Sequence, residues 1–256
     1  MTVKIELVFP IGKSAHITYV DELISAETCN QLISACKEYY DVLFEPGPTM
    51  GGINQLVKKT HDFRFNASDI YQYNVPPEQF IKISEEIQEA LNSAISLYVQ
   101  SYERLWEVAS MKDTGFRLQH YVKNSGFYRT HHDGDCWNQD TDVNKRILGV
   151  IIYLNDIAVG GDTFFPEHNY GVTPKAGRIS LFPAAWTHPH GSRVSISEDK
   201  WIISTFIMYN PTLVTPVQIE DILIEPEVLS ELGVDDILHG TSSYKTHNKP
   251  LGEKHD

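Results

Sequence analysis

Residues 200–209 read Lys-Trp-Ile-Ile-Ser-Thr-Phe-Ile-Met-Tyr, a run of β-branched and aromatic side chains opened by a cation. Three segments of the same character precede it: 115–122 (GFRLQHYV), 147–154 (ILGVIIYL) and 178–183 (RISLFP). Turn residues separate them, with Asn155-Asp156 and Gly160-Gly161-Asp162 in the intervals. Short strands at this spacing predict an antiparallel barrel or jelly roll whose interior can hold a small ligand. The fold class expected is α+β, mainly β: a double-stranded β-helix (jelly-roll) core with N-terminal helices packed on it.

The helices lie upstream. Residues 3–9 and 16–20 read as short strands, and Ser25 is placed to cap a helix with apolar positions Cys29, Leu32, Ile33, Cys36 and Tyr40. Pro and Gly at both ends make 46–54 (PGPTMGGIN) a loop. After Pro76-Pro77 the clearest helix begins. Phe80, Ile83, Ile87, Leu91, Ile95, Tyr98 and Tyr102 form its apolar stripe, and Glu85, Glu86, Gln88 and Glu89 lie outside it. Residues 1–212 therefore read as a single domain, helical over 1–112 and jelly roll over 113–212. Regularity fades beyond, and 213–256 reads as a partly flexible extension with acidic patches.

Composition narrows the setting. At 41% hydrophobic residues the chain can bury a sizeable core. A net charge of −13 repels phosphate backbones, so nucleic acid is not an expected partner. Cys29, Cys36 and Cys136 show no CxxC spacing and read as buried thiols in a reducing compartment. The N-terminus lacks a basic region leading into a long apolar run, and no stretch approaches 18 apolar residues. A cytoplasmic protein without a membrane span is expected, which makes the sequon at Asn66 meaningless.

The chemistry lies in two short runs, Tyr128-Arg-Thr-His131-His-Asp133 and His188-Pro-His190. Residues i and i+2 of an extended strand share a face, so His131 and Asp133 can reach one metal while His132 points away. A later histidine, His188 or His190, completes two imidazoles and a carboxylate. That set covers one face of an octahedron and leaves three positions open, the arrangement that suits non-haem Fe(II). Zinc accepts the same donors but gives no reason for Lys200. Lys200, Ile202, Ser204 and Phe206 share a strand face, and a cation buried at that end needs a partner such as a dicarboxylate.

The order and spacing of these residues resemble the Fe(II)/2-oxoglutarate-dependent dioxygenases, in particular the prolyl 4-hydroxylase-like group. The matching pieces are Tyr121, Tyr128-x-x-His131-x-Asp133, Arg146 leading to Tyr153-Leu-Asn-Asp156, and Gly160-Gly-Asp-Thr163-x-Phe165. Val172-x-Pro174-x-x-Gly177, Phe182-Pro183, and His190 with Lys200-Trp201 complete them. The stretch 20–33 is similar to the helix preceding the barrel in that group. The resemblance implies that His131, Asp133 and His190 bind Fe(II). It selects His190 over His188 because the family's basic residue follows the distal histidine by nine or ten positions. It implies that Lys200 pairs with the distal carboxylate of 2-oxoglutarate, that Tyr153 helps hold it, and that Tyr121 hydrogen-bonds the co-substrate. Ile151, on the strand face of Tyr153, would line the pocket.

The implied reaction consumes 2-oxoglutarate and O2, releases succinate and CO2, and hydroxylates a C–H bond, with ascorbate as a possible reductant. No catalytic side chain beyond the metal and co-substrate ligands is implied. The expected substrate is a prolyl residue of a peptide or protein. A free amino acid, another side chain or a small metabolite would use the same chemistry. A non-catalytic metal- or ligand-binding barrel would be expected to lack one ligand or the lysine. The polar stretch 134–146 (GDCWNQDTDVNKR) is placed to cover the site.

Overall fold

Strands that alternate between two buried faces shape this molecule. The computed structural model describes residues 5–7, 16–65, 78–102, 111–134 and 142–209. The chain divides into two compact units, Met1–Leu213 and Val214–Asp256. The extension, Cys136, the sequon at Asn66 and positions 135–141 of the polar stretch lie outside the described residues.

In chain order the strands are β1 (Ile5–Leu7), β2 (Thr18–Val20), β3 (Glu45–Pro46), β4 (Pro48–Thr49), β5 (Gly52–Ile53), β6 (Lys58–Lys59), β7 (His61–Phe65) and β8 (Met111–Asp113). They continue as β9 (Phe116–Tyr121), β10 (Phe127–His131), β11 (Arg146–Tyr153), β12 (Thr163–Phe165), β13 (Tyr170–Val172), β14 (Ile179–Pro183), β15 (His190–Ser192) and β16 (Lys200–Tyr209). The helices are α1 (Ala26–Glu38), α2 (Tyr40–Leu43) and α3 (Glu78–Ser101). Among the described residues the major sheet runs β1-β2-β14-β11-β16-β9-β7-β3, with β8 also on β16, and the minor sheet runs β13-β12-β15-β10-β6. All the pairings are antiparallel, and the arrangement is a jelly roll.

The period of two sorts the major sheet's side chains into two cores. Leu148, Val150 and Ile152 of β11, Ile203 and Ile207 of β16, and Ile179 and Leu181 of β14 pack on the helical side. There they meet Leu32 and Cys36 of α1 and Phe80, Ile87, Leu91 and Tyr98 of α3. The alternate positions Ile151, Tyr153, Phe182 and Ile202 face inward, where Phe165 and Val172 of the minor sheet join them. Burial on both faces explains why β11 and β16 read as continuous apolar runs.

Helix α1 starts where expected, since the Ser25 side chain accepts the Thr28 N–H at 2.9 Å. Tyr40 belongs to the separate turn α2 rather than to α1. The segment expected to be a loop at 46–54 contains the small β4–β5 hairpin, closed at Gly52 with φ of +96°.

Candidate metal and co-substrate site

The inner face of the jelly roll brings the two histidine runs together. β10 and β15 pair so that His131 lies opposite His190, with ring centroids 4.6 Å apart. The i, i+2 strand argument for Asp133 needs correction, because β10 ends at His131 and Asp133 occupies the bend beyond it. That bend still turns the carboxylate inward. Asp133 Oδ1 lies 3.3 Å from His131 Nε2, and Oδ2 lies 3.4 Å from His190 Nε2. One ligand atom from each residue falls within 4.8 Å of the others.

Four features of this donor set fit a divalent metal such as Fe(II). His131 Nδ1 sits 2.9 Å from the Arg129 carbonyl and His190 Nδ1 sits 3.1 Å from the His188 carbonyl. A carbonyl only accepts, so each Nδ1 carries the proton and each Nε2 offers its lone pair to the shared centre. Burial, assisted by the neighbouring imidazoles and opposed by Asp133, pushes His190 down to about 4 and keeps it neutral. Burial acts against the charge on Asp133, but the pull of His190 and His131 when they are protonated, with Arg146, outweighs it and holds its carboxyl below the usual range. Finally, Gly149 leaves the carboxylate its room. A Cβ there would lie 2.6 Å from Asp133 Oδ2 and 2.5 Å from Phe182 Cε2.

The triad opens on a tight pocket of about 50 Å³ inside the jelly roll. Its lining includes Gln119, Tyr121, Tyr128, Ile151, Thr163, Phe182, Ser192 and Lys200. Lys200, Ile202, Ser204 and Phe206 all face it, as the alternation along β16 requires. Lys200 is 1% exposed, donates to the Gly161 carbonyl at 2.9 Å and to Ser192 Oγ, and lies 4.1 Å from the centre of the Tyr121 ring. Burial pushes its ammonium down to about 7, against the opposing pull of Asp162. Among the described residues no carboxylate reaches it to form an ion pair.

The remaining expected residues fall in two layers. Tyr121 lines the pocket, donating to Gln119 Oε1 at 2.8 Å, and Gln119 in turn donates to Ser204 Oγ at 3.0 Å. Tyr153 is fully buried behind that surface and donates to Thr163 Oγ1 at 2.7 Å, so Thr163 presents the polar atom to the pocket. His188 faces away from the triad and stacks on His168 with centroids 4.5 Å apart. Gly149 and Arg146 received no role from sequence reasoning. Arg146 Nη1 donates to the Asp133 carbonyl at 2.9 Å and the guanidinium stacks on Phe206 at 3.6 Å. A lone glycine inside an apolar strand was the one available signal for Gly149.

Comparison with known proteins places this constellation. Residues 116–208 match the family model described as the 2OG-Fe(II) oxygenase superfamily. The chain carries a 2OG-Fe(II) oxygenase domain. Over 79 residues it is 36% identical to human prolyl 3-hydroxylase 3, a match covering 29% of this chain and 11% of that protein. The chain thus spans about a tenth of the length of that curated relative. Among solved structures it is similar to the viral collagen prolyl hydroxylase of Paramecium Bursaria Chlorella virus-1 in its 2OG complex. The TM-score is 0.55 at 17% identity, covering 78% of this chain and 99% of that one. It is also similar to a Trichoplax adhaerens prolyl hydroxylase in complex with a hypoxia inducible factor oxygen degradation domain peptide fragment. There the TM-score is 0.58 at 17% identity, over 76% of this chain and 84% of that one. These likenesses establish the jelly-roll fold of the oxygenase domain.

Proposed function

We propose that this chain is an Fe(II)- and 2-oxoglutarate-dependent hydroxylase of prolyl residues in a peptide or protein. The observation that carries the reading is one pocket joining the His131/Asp133/His190 triad to the buried, carboxylate-free Lys200. A lone metal site would not need the lysine, and a lone anion site would not need the triad. The prolyl assignment rests on the relatives, whose names are those of prolyl hydroxylases.

Each residue has a defined duty in this reading. His131, Asp133 and His190 would hold Fe(II) by two neutral imidazoles and one carboxylate. Lys200 would pair with the distal carboxylate of 2-oxoglutarate, and Thr163, Ser192 and Tyr121 would hydrogen-bond beside it. Tyr153 would orient Thr163. Ile151, Phe182 and Ile202 exclude water from the walls between, which strengthens every charge interaction inside. Bound there, Fe(II) with 2-oxoglutarate and O2 supplies the oxidant for C–H hydroxylation, with ascorbate as an external reductant. The setting we infer is a reducing compartment, the cytoplasm. Cys29 and Cys36 are free, buried thiols, and burial pushes Cys29 up to about 11. Among the described residues no helix is long and apolar enough to cross a membrane.

The test is turnover of purified protein with Fe(II), 2-oxoglutarate, ascorbate and a panel of proline-rich peptides. Succinate release coupled to the gain of one oxygen on a prolyl residue supports the reading. Succinate release coupled only to a substrate without proline would overturn the prolyl assignment.

A further inference from the structure

Beside the pocket, next to its lining residues Ser204 and Phe206, lies a second cationic region, distinct from Lys200 and unused by the duties above. Arg117, Gln119 and Tyr121 alternate along β9 and so share its inner face, with Arg117 paired in register to Ser204 of the pocket wall. Arg146 reaches the same rim from β11 through its stack on Phe206, another wall residue. Gly149, against which Asp133 lies, pairs in register with Phe206, so this rim stands at the level of the metal triad. Lys200 lies six residues further along β16.

Ion pairing at the rim is incomplete. Lys58 takes Asp62 at 2.6 Å, while Arg117 shares the same carboxylate at 3.6 Å. Thr60 Oγ1 donates to the other Asp62 oxygen at 2.7 Å. Arg146 has only a backbone carbonyl as acceptor, and its Nε is buried with no hydrogen-bond partner among the described residues. Asp133 belongs to the triad. Among the described residues, therefore, Lys58 and Arg117 share the carboxylate of Asp62, while Arg146 makes no ion pair and feels Asp133 and Asp142 only at longer range. The Arg117 side chain is 30% exposed, so its guanidinium remains partly open to solvent.

Resting on the hydroxylase reading, we propose that the substrate presents a carboxylate to Arg117 and Arg146 while its target carbon lies at the triad. A planar guanidinium matches a carboxylate in two parallel hydrogen bonds, which fixes orientation as well as adding affinity. The carboxylate comes either from an acidic side chain beside the hydroxylated residue or from that residue's own α-carboxyl group. Both sources share the chemistry, and the experiment separates them.

Titration calorimetry on protein loaded with Mn(II) and 2-oxoglutarate would use two matched pairs of ligands. The first pair is Ac-Gly-Glu-Pro-Glu-NH2 against Ac-Gly-Gln-Pro-Gln-NH2. The second is Ac-Gly-Gln-Pro with a free C-terminal carboxylate against its C-terminal amide. In one pair the acid binds at least tenfold more tightly than the amide, and the ratio shrinks as salt rises. Arg117→Gln brings the ratio to within twofold, and Arg117→Lys restores part of it. Acid and amide binding alike in both pairs, or no binding of any of the four, overturns the proposal. If Arg117→Gln does not fold, the wild-type ratios and their salt dependence decide. Succinate release by the Fe(II) protein with the panel of proline-rich peptides tests the parent reading separately. Release without acid preference removes only the carboxylate, whereas no release removes the hydroxylase.

Discussion

Replacing Lys200 by Met should move stability and co-substrate affinity in opposite directions. Lys200 is 1% exposed, and its ammonium has only neutral acceptors, Gly161 O and Ser192 Oγ. Its fall from the usual 10.5 to about 7 means that the folded apo protein disfavours the charged form. At ~1.4 kcal/mol per tenfold in proton affinity, that cost is about 5 kcal/mol. Because the folded value is the lower one, the full cost applies below pH 7 and vanishes as pH rises through 10.5. Met removes it but leaves the Gly161 carbonyl without its donor, a loss of about 1–3 kcal/mol. The apo variant should gain roughly 2–4 kcal/mol at pH 6, or ~5–15 °C in Tm for a domain of this size. Co-substrate binding should suffer instead. Removing one partner of a buried charge pair costs about 2–5 kcal/mol, a rise of at least ~30-fold in the KM for 2-oxoglutarate. Thermal unfolding of apo protein and initial-rate succinate assays read the two effects. A lower Tm at pH 6, or a KM within twofold of wild type, would refute the reasoning.

Three further outcomes follow from the same geometry. Gly149→Ala places a Cβ 2.6 Å from Asp133 Oδ2, and should weaken Fe(II) binding by about 10–100-fold in a competition assay with a chelator. Binding of 2-oxoglutarate should take up about 0.9 proton at pH 8 and close to none at pH 6, because the co-substrate carboxylate restores the charge on a lysine sitting near 7. Calorimetry in buffers of different ionisation enthalpy measures this, and equal uptake at both pH values would contradict the assignment to Lys200. Ser25→Ala should cost ~1 kcal/mol in denaturant unfolding without changing the KM for 2-oxoglutarate, since the cap serves only the first turn of α1.

The elements legible in the sequence were those whose burial leaves a periodic mark. β9, β11, β14 and β16 are sandwiched between two apolar cores, so their runs stand out. α3 carries its stripe for 24 residues. The minor sheet left little trace, because β12, β13 and β15 are three residues each, too short for a period of two to show. The β4–β5 hairpin was hidden by the same Pro and Gly that mark a loop. At the site, residue types and spacing pointed to His131, Asp133, Lys200 and one of His188 and His190, and the family resemblance selected His190. They could not show that Asp133 stands past the strand end, that Tyr153 works behind Thr163, or that Gly149 clears room for the carboxylate. Those depend on which neighbour each side chain meets across the sheets.

The central claim is that the triad and Lys200 form one site that binds Fe(II) and 2-oxoglutarate together. Anaerobic titration of the Fe(II) protein with 2-oxoglutarate tests it most directly, by the visible charge-transfer absorption that arises when a 2-oxo acid chelates Fe(II). The account predicts a band that saturates at one equivalent, is lost in Asp133→Ala, and needs far more 2-oxoglutarate in Lys200→Met. No band in the wild-type protein, or an unchanged band in Asp133→Ala, would contradict it.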